Sequence, residues 1–384
     1  MQKEILSKPN FNHSTLSMIS SILKYYGYQN DYQTIDILDQ NLTKKYKNIV
    51  LFILDGLGNI SLENISKNGF LNQNKADVIS SVFPSTTVAA INTISSGVPP
   101  VVNGWLGWTS YFKEVDHTIE LFKNKYVGTD EPVDFDYHEL IKYKNIFTKI
   151  KEVSDTECNY FSPDFIPTIM DDANNYKYKS SSFKKGCSDL IKILNKQPKP
   201  TFTYFYHHMP DGLMHIKGVD SLRIKINVLR LQKILKNTFK KISNDTLFII
   251  SADHGLINIS NNVYLADDLE IYRMLKRRTS IEGRATAFFV KDKYKEEFPK
   301  VFNEKYGNDF ILKSHQEVIE ENIFGEGPIH LKFEDFIGDY LAIAISNRSI
   351  NYGKKGKNEF FKAAHAGYTK KETEVPLIIL KNKS

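Results

Sequence analysis

Short apolar runs and amphipathic helical segments alternate along most of the chain. Asn48–Leu54 and residues 246–250 are apolar on both faces and rich in β-branched and aromatic residues, which indicates buried strands of a largely parallel sheet. Residues 201–206 and 375–380 have the same character, and 220–242 carries an apolar stripe at helical spacing. The pattern predicts an α/β core in which a mostly parallel central sheet is flanked by helices.

The pattern changes between residues 257 and 350. Three short predicted strands with helices between them give a small α+β unit. We expect this unit to be a cap inserted into the core, so that the core comprises residues 1–256 and 351–384. The aromatic and polar stretch at 105–180 follows a helix that begins near Thr87, and this position suggests a lid over the site.

Composition is compatible with this architecture. At 384 residues, of which 41% are hydrophobic, the chain is long enough for a large core plus an insertion. The net charge of +6 could favour an anionic ligand. However, the lysines are spread along the chain and only seven arginines are present, which favours a solvated lysine-rich surface over a specific nucleic-acid groove.

The cysteines and the termini bear on compartment. Cys158 and Cys187 lack the spacing of a metal site, and two cysteines are too few for the disulfide framework of a secreted domain. We expect reduced thiols, one in a strand and one in a helix. The N-terminus has no signal-peptide core, and no segment reaches the ~18 apolar residues of a membrane span. The expectation is a cytoplasmic protein without membrane contact, and no pattern indicates its oligomeric state.

Acidic and histidine side chains follow the predicted strands. Since the carboxyl ends of parallel strands meet at one edge of a sheet, carboxylates placed there suggest a metal site. Aspartate and histidine are also ligands that zinc accepts in roughly tetrahedral sites, and manganese or iron can occupy similar sites. The candidate ligands, each at a strand end or in a loop beside one, are Asp55, Asp211, His215, Asp253, His254 and His365.

Thr87 is a candidate nucleophile. It follows the turn and capping sequence Pro84-Ser85-Thr86, so it is expected at a helix N-terminus. Unpaired backbone N–H groups there hold a phosphate or a developing oxyanion well. Two cations ~4 Å apart can clamp the attacking and leaving oxygens of a displacement at phosphorus, and coordination activates a threonine hydroxyl.

In their order and contexts, these residues resemble the type I phosphodiesterase/nucleotide pyrophosphatase family of the alkaline phosphatase superfamily. The first strand ends in Asp55, and Pro84 precedes Thr87 by three residues. The later matches are Pro210-Asp211 with His215, Asp253-His254-Gly255, and His365 before the last strand. The resemblance covers roughly 45–256 and 355–384, and it implies an alkaline-phosphatase-like core.

The resemblance also implies a ligand set and a mechanism. One zinc would be held by Asp211, His215 and His365, and Asp55, Asp253, His254 and the Thr87 oxygen would hold the other. Thr87 would attack phosphorus to give a phosphothreonine, which a metal-activated hydroxide would hydrolyse. The expected substrate is a small phosphodiester or a nucleotide pyrophosphate.

Two departures from the family concern substrate contacts. Members of this family usually have a phenylalanine directly after the nucleophile, where it stacks on a nucleobase, and this chain has Val88. They also place an asparagine about twenty residues after the threonine, where an ungapped count reaches Trp108 here. Val88 and Trp108 are therefore the candidate substrate contacts, and Trp108 is either a replacement stacking surface or core of the lid.

Other activities of the same superfamily remain as alternatives. Phosphomonoesterases usually add an arginine beside the nucleophile, and no arginine occurs between Met1 and Asp220, which favours diesters over monoesters. A phosphonate hydrolase is also compatible with the motifs, whereas a catalytically inactive binding protein is disfavoured because no ligand is lost. Arg284 could reach a substrate phosphate from the cap, although a surface arginine at a turn is the interpretation we favour.

Overall fold

Two seven-stranded sheets dominate the fold. The computed structural model describes residues 4–242, 245–356 and 361–381. One sheet has a mostly parallel centre and the other is antiparallel throughout. Two further pairs of short strands complete the β-structure of the described residues.

The strands, numbered in chain order, have the following bounds. They are β1 Asn48–Leu54, β2 Lys75–Ser80, β3 Thr109–Phe112, β4 His117–Glu120, β5 Lys125–Tyr126, β6 Glu157–Pro163, β7 Asn174–Tyr178, β8 Thr201–His207, β9 Thr246–Ser251, β10 Ile257–Asn258, β11 Val263–Tyr264, β12 Ser280–Ile281, β13 Ala285–Phe288, β14 Phe310–Ser314, β15 Tyr340–Ala344, β16 Ile350–Asn351, β17 Ala363–Ala364 and β18 Glu374–Lys381.

The α-helices are numbered in the same way. They are α1 Thr15–Tyr26, α2 Asp36–Asn41, α3 Asn59–Ser66, α4 Phe70–Gln73, α5 Thr87–Ser96, α6 Pro100–Asn103, α7 Tyr137–Leu140, α8 Ile146–Val153, α9 Phe183–Lys196, α10 Asp211–Lys217, α11 Leu222–Phe239, α12 Leu269–Met274, α13 Phe298–Tyr306, α14 His315–Glu320, α15 Phe333–Ile337 and α16 Lys370–Thr373.

The main sheet has the strand order β2-β18-β9-β1-β8-β6-β7. The strands from β9 to β7 run parallel, while β18 pairs antiparallel with β9 on one side and with β2 on the other. All seven residues of β1 are buried, as expected for a central strand covered on both faces. The predicted mostly parallel sheet is therefore confirmed.

Helices pack their apolar stripes against this sheet. Phe52 of β1 is fully buried, and its core cluster includes Leu190 of α9 and Leu235 of α11. Ile22 of α1 belongs to the same cluster. The flanking helices thus bury apolar side chains with a sheet whose strands are themselves hydrophobic, which leaves only the strand ends free for polar chemistry.

The second sheet combines two distant parts of the chain. Its order is β14-β15-β13-β12-β3-β4-β5, so strands from 280–344 continue directly into strands from 109–126. Residues 157–178 instead form β6 and β7 of the main sheet, so the expectation of a single lid at 105–180 is wrong. The division into core and cap stays a prediction, and the second sheet draws three of its strands from outside 257–350.

The cysteines lie where the sequence predicted. Cys158 is in β6 and Cys187 is in α9, and both are buried free thiols. Burial raises the pKa of each thiol to about 12, so neither is a reactive thiolate at neutral pH. Within the described ranges, no helix combines the length and the hydrophobicity that crossing a bilayer requires.

A buried ion pair joins the second sheet to the main sheet. Arg284, in the turn between β12 and β13, is 0% exposed, which contradicts the expectation of a surface arginine. Its Nε and Nη2 donate to the two carboxylate oxygens of Glu372 in α16, each at 2.7 Å. Nη2 also donates to the Ser346 carbonyl at 2.8 Å, and Nη1 donates to the Arg348 carbonyl. The guanidinium charge is thus paired and its donors are satisfied, as a buried charge requires.

Removing one partner of this pair is expected to destabilise the protein strongly. Arg284→Met leaves the Glu372 carboxylate buried without its counter-charge, which costs about 3–5 kcal/mol. Urea denaturation measures this as a lower free energy of unfolding. Arg273→Met makes the same chemical change at an exposed position of α12 and is expected to cost less than about 0.5 kcal/mol. Equal costs for the two variants would contradict a stabilising role for the buried pair.

Candidate metal centre

The carboxyl ends of three neighbouring strands converge at one edge of the main sheet. Asp55 follows β1, Asp211 begins α10 after β8, and Asp253 follows β9. The backbone N–H of Asp55 donates to the His207 carbonyl at 2.9 Å, and that of Asp211 donates to the Asp55 carbonyl at 3.0 Å. The parallel hydrogen bonding therefore continues past the strand ends and brings these acids together.

Asp55, Asp253 and His254 form one buried cluster. Each offers a ligand atom within 4.8 Å of the others, and His254 Nε2 lies 3.4 Å from Asp55 Oδ1. The backbone N–H groups of Gly56 and His254 donate to Asp253 Oδ1 at 3.1 and 3.0 Å. Its Oδ2 is buried and accepts no hydrogen bond from the described residues. A bound cation would pair with the free oxygen of this oriented carboxylate.

Asp211, His215 and His365 form the second cluster, again with ligand atoms within 4.8 Å of one another. Asp211 and His215 are four residues apart on α10 and share one helix face, with Asp211 Oδ1 3.3 Å from His215 Nε2. His215 Nδ1 lies 2.7 Å from the Ala363 carbonyl, which favours a free Nε2 for a ligand. His365 Nδ1 is buried without a hydrogen-bond partner among the described residues.

The two clusters are contiguous, and their charged side chains shift one another's pKa values. The His254 and His365 rings lie 4.0 Å apart between centroids. Burial, with Asp253 and Asp211 nearby, raises the pKa of Asp55 well above its usual value. Burial alone would lower the pKa of His215, but the Asp211 carboxylate raises it to about 9. Because the Asp55 carboxylate is costly to ionise in this position, a nearby positive charge would stabilise it.

Thr87 lies beside the first cluster, at the first residue of α5. Its side chain is nearly buried, with Oγ1 3.0 Å from His254 Nε2 and 3.4 Å from Asp55 Oδ1. The unpaired N–H groups of the first turn of α5 carry partial positive charge at this point. Thr87 is thus placed where its oxygen could contact both a cation in the first cluster and a phosphorus atom in the adjacent cavity.

Tyr206 supports the first cluster and was missed in the sequence. Its hydroxyl donates to Asp55 Oδ2 in a buried hydrogen bond from β8. Burial, with the neighbouring Asp55 and Asp253 carboxylates, raises the pKa of Tyr206 well above its usual value, so it stays a donor at neutral pH. A tyrosine inside an apolar strand belongs to no motif. Only the pairing of β8 with β1, which sets Tyr206 opposite Ile53, could have indicated this role.

A cavity of about 490 Å³ lies against the clusters and the second sheet. Thr87, Asp211, His215 and His365 line it. The lining also includes Trp108, Lys123, Arg278, Glu282, Tyr352 and Phe361.

The two candidate substrate contacts differ in position. Trp108 lines the cavity, so it stays a candidate. Val88 has 0% exposure and packs with Phe83 and Trp105 in the core beneath the second sheet, which contradicts its proposed contact with substrate. Successive residues of an α-helix point about 100° apart, so the residue after Thr87 need not face the same side.

Glu282 is a further cavity residue that no motif indicated. It lies in the turn between β12 and β13, and its Oε1 accepts hydrogen bonds from Thr86 Oγ1 at 2.6 Å and from the Trp108 backbone N–H at 3.0 Å. Burial raises the pKa of Glu282. Its position beside the N-terminus of α5 depends on the pairing of β12 with β3.

Comparisons with known proteins agree with this geometry. The family model for type I phosphodiesterase/nucleotide pyrophosphatase matches residues 49–369. Murine ectonucleotide pyrophosphatase/phosphodiesterase 5 is similar in structure, with a TM-score of 0.65 and 16% identity over 87% of each chain. Phosphonoacetate hydrolase from Sinorhizobium meliloti 1021, in complex with phosphonoacetate, has a TM-score of 0.64 and 13% identity over 86% of this chain and 89% of its own.

A search of curated proteins found no match. The structural neighbours are too different in sequence to show more than the fold, and they confirm the expected alkaline-phosphatase-like architecture. The family model covers most of the chain and confirms the enzyme class predicted from the motifs. The chain therefore belongs to the type I phosphodiesterase/nucleotide pyrophosphatase family.

Proposed function

We propose that this protein hydrolyses phosphodiester or nucleotide pyrophosphate bonds with two divalent cations and Thr87 as the nucleophile. One observation carries the proposal. Two three-residue clusters, each with an unpaired buried ligand atom, are adjacent, and Thr87 Oγ1 at the wall of a cavity contacts the first of them. A structural role as caps or core hydrogen bonds does not account for ligand atoms left unpaired in the protein interior.

The residues of both clusters fit divalent cations. Asp55, Asp253 and His254 would hold one ion, with Thr87 Oγ1 as an additional ligand, and Asp211, His215 and His365 would hold the other. Imidazole nitrogen and carboxylate oxygen suit zinc, and they also suit manganese or iron. When bound, the cations would supply Lewis-acid stabilisation of negative charge and would lower the pKa of the Thr87 hydroxyl.

The residues of the chain then have separate roles in an in-line displacement. Thr87 Oγ1 gives up its proton to solvent and forms a bond to phosphorus, while the bond to the leaving oxygen breaks and that oxygen takes up a proton from water. The N–H groups at the start of α5 face the developing charge on the phosphoryl oxygens. Water then cleaves the resulting phosphothreonine ester, which restores the Thr87 hydroxyl.

Arg284 does not provide a free guanidinium for a monoester dianion. Arg284 reaches the cavity wall, but its guanidinium is committed to Glu372 and to backbone carbonyls. The arginine that monoesterases place beside the nucleophile therefore has no counterpart in Arg284.

Phosphonate hydrolysis is the second candidate, and Arg278 favours it. This guanidinium lines the cavity over the Tyr352 ring, 5.0 Å from the ring centroid, and makes no ion pair within the described ranges. A free guanidinium in that wall is suited to a carboxylate or a second phosphate on the substrate. Activity towards nitrophenyl phosphodiesters, nitrophenyl nucleotide esters and phosphonoacetate, assayed with added zinc, manganese or iron, would separate the two candidates.

Thr87→Ala is expected to lower kcat for bis-nitrophenyl phosphate by about a thousandfold or more, because the attacking oxygen is removed. Elemental analysis should find the metal content of wild type, since the six other ligands remain. Thr87→Ser, which keeps a hydroxyl, is the matched control and should retain measurable turnover. Full activity of Thr87→Ala would exclude Thr87 as the nucleophile.

Metal binding is expected to release a proton from His215. The pKa of His215 is about 9, so its imidazole is protonated at pH 7 in the metal-free protein, and a cation at Nε2 must displace that proton. The affinity should therefore increase with pH up to about pH 9. Calorimetric zinc titrations in buffers of different ionisation enthalpy measure the number of protons released.

Two histidine variants sharpen this measurement. His215→Ala should reduce the number of protons released by about one and weaken binding at one of the two sites. His208→Ala is the control, because burial lowers the pKa of His208 and no proton is expected from it at pH 7. If His215→Ala and wild type release the same number of protons, His215 is not a ligand.

A further inference from the structure

We propose that Glu282 makes this site select phosphodiesters, whose phosphoryl group carries one negative charge, over phosphomonoesters, whose phosphoryl group carries two. The inference rests on the proposed function and assigns its substrate preference to one residue. Nothing in the family motifs indicates Glu282, because it lies in the second sheet, far in sequence from Thr87.

The position of Glu282 is fixed by its hydrogen bonds. Oε1 accepts from Thr86 Oγ1 at 2.6 Å and from the Trp108 N–H at 3.0 Å, so the carboxylate is tied to the residue immediately before Thr87. Oε2 accepts no hydrogen bond from the described residues. Because Glu282 lines the same cavity as Thr87 and Asp211, this free oxygen is available to whatever binds there.

No basic side chain of the described residues is in direct contact with the Glu282 carboxylate. Among the residues that the structure describes, Glu282 makes no ion pair with a lysine, an arginine or a histidine. Glu120 lines the same cavity and differs in this respect, since its carboxylate lies 2.9 Å from Lys123 Nζ. Arg284 follows Glu282 by two residues and is paired with Glu372. The Glu282 carboxylate therefore lines the cavity without an ion pair, although the nearby imidazoles of His215 and His254 partly offset the rise in its pKa that burial causes.

Such a charge discriminates by repulsion. A phosphomonoester has a second pKa of about 6, so it is a dianion at pH 8, whereas a phosphodiester stays a monoanion. In a partly desolvated cavity, like charges repel more strongly than in water, and the penalty increases with the charge of the ligand. Esterification of one phosphoryl oxygen removes the extra charge. Rejecting a competitor by an unfavourable contact is a general route to specificity.

A purely structural role for Glu282 makes a different prediction. The carboxylate also bridges Thr86 and Trp108, and loss of this bridge would disturb the N-terminus of α5 for every substrate. A bridge therefore changes kcat/KM for monoesters and diesters by the same factor. Charge discrimination changes the ratio of the two.

The test compares nitrophenyl phosphate with methyl nitrophenyl phosphate at pH 8, using the full chain loaded with metal. Glu282→Gln keeps the shape of the side chain and an oxygen acceptor but removes the charge. We expect the monoester-to-diester ratio of kcat/KM to increase about tenfold or more, with kcat/KM for the diester changing less than about threefold. A ratio that stays within about twofold of wild type overturns the proposal.

Two further variants separate charge from shape. Thr86→Val removes the donor to Oε1 and keeps the carboxylate, so the ratio should stay that of wild type even if both rates fall. Glu282→Ala removes the carboxylate entirely and should change the ratio in the same direction as Glu282→Gln. If neither Glu282 variant changes the ratio, or if Thr86→Val changes it as much, the proposal is wrong.

The pH dependence gives an independent check. At pH 5 nitrophenyl phosphate carries less negative charge than at pH 8, and the Glu282 carboxylate, whose pKa burial raises, is less ionised, so the advantage of Glu282→Gln for this substrate should shrink. An advantage of the same size at pH 5 and pH 8 would overturn charge repulsion as the cause. Wild type that hydrolyses neither ester with any added metal would instead refute the proposed function. Diesterase activity with unchanged ratios refutes only the role of Glu282.

Discussion

The convergence of three aspartates at one edge of a parallel sheet is the constraint on which the rest of the structure depends. Asp55, Asp211 and Asp253 are brought together by the strand order β9-β1-β8, and burial together with the other two carboxylates raises the pKa of Asp55 well above its usual value. Histidines beside them and unpaired ligand atoms leave room for positive charge. The N-terminus of α5, which follows β2, places Thr87 against Asp55 and His254. Fold and chemistry are thus linked by one geometric fact, the common direction of the central strands.

The second sheet is part of the site as well as a cover over it. Two charged side chains of its turn at residues 282–284 contact different parts of the molecule. Glu282 holds the residue before Thr87 and the start of β3. Arg284 is buried against Glu372, whose carboxylate also accepts a hydrogen bond from the backbone N–H of Gly367, near the candidate ligand His365. The cavity wall and the loop that carries this candidate ligand are therefore held by neighbouring residues of one turn, and a change in this turn affects both.

Sequence patterns predicted strands β1, β8, β9 and β18 of the main sheet because these strands are short and hydrophobic, whereas β6 and β7 were not assigned to this sheet. The candidate ligands could be identified from the sequence for a related reason, since each follows such a strand or precedes one. The errors occurred where a residue's environment depends on remote pairing. Arg284 was expected at the surface and is fully buried, because its partner Glu372 is far away in the chain. Val88 was expected at the substrate and is buried, because the rotation of α5 turns it into the core. The stretch at 105–180 was expected to form one lid, yet its strands belong to two different sheets.

The sequence by itself determined the class of fold, the family and the set of residues that could hold cations and attack phosphorus. These depend on local properties, namely strand hydrophobicity and the spacing of a few side chains. Only the tertiary structure decided which side chains are oriented and unpaired, that Tyr206 donates to Asp55, and that Glu282 contacts the residue before α5. These properties arise from contacts between segments far apart in the chain, and such contacts are set by the packing of two sheets whose pairing no local pattern records.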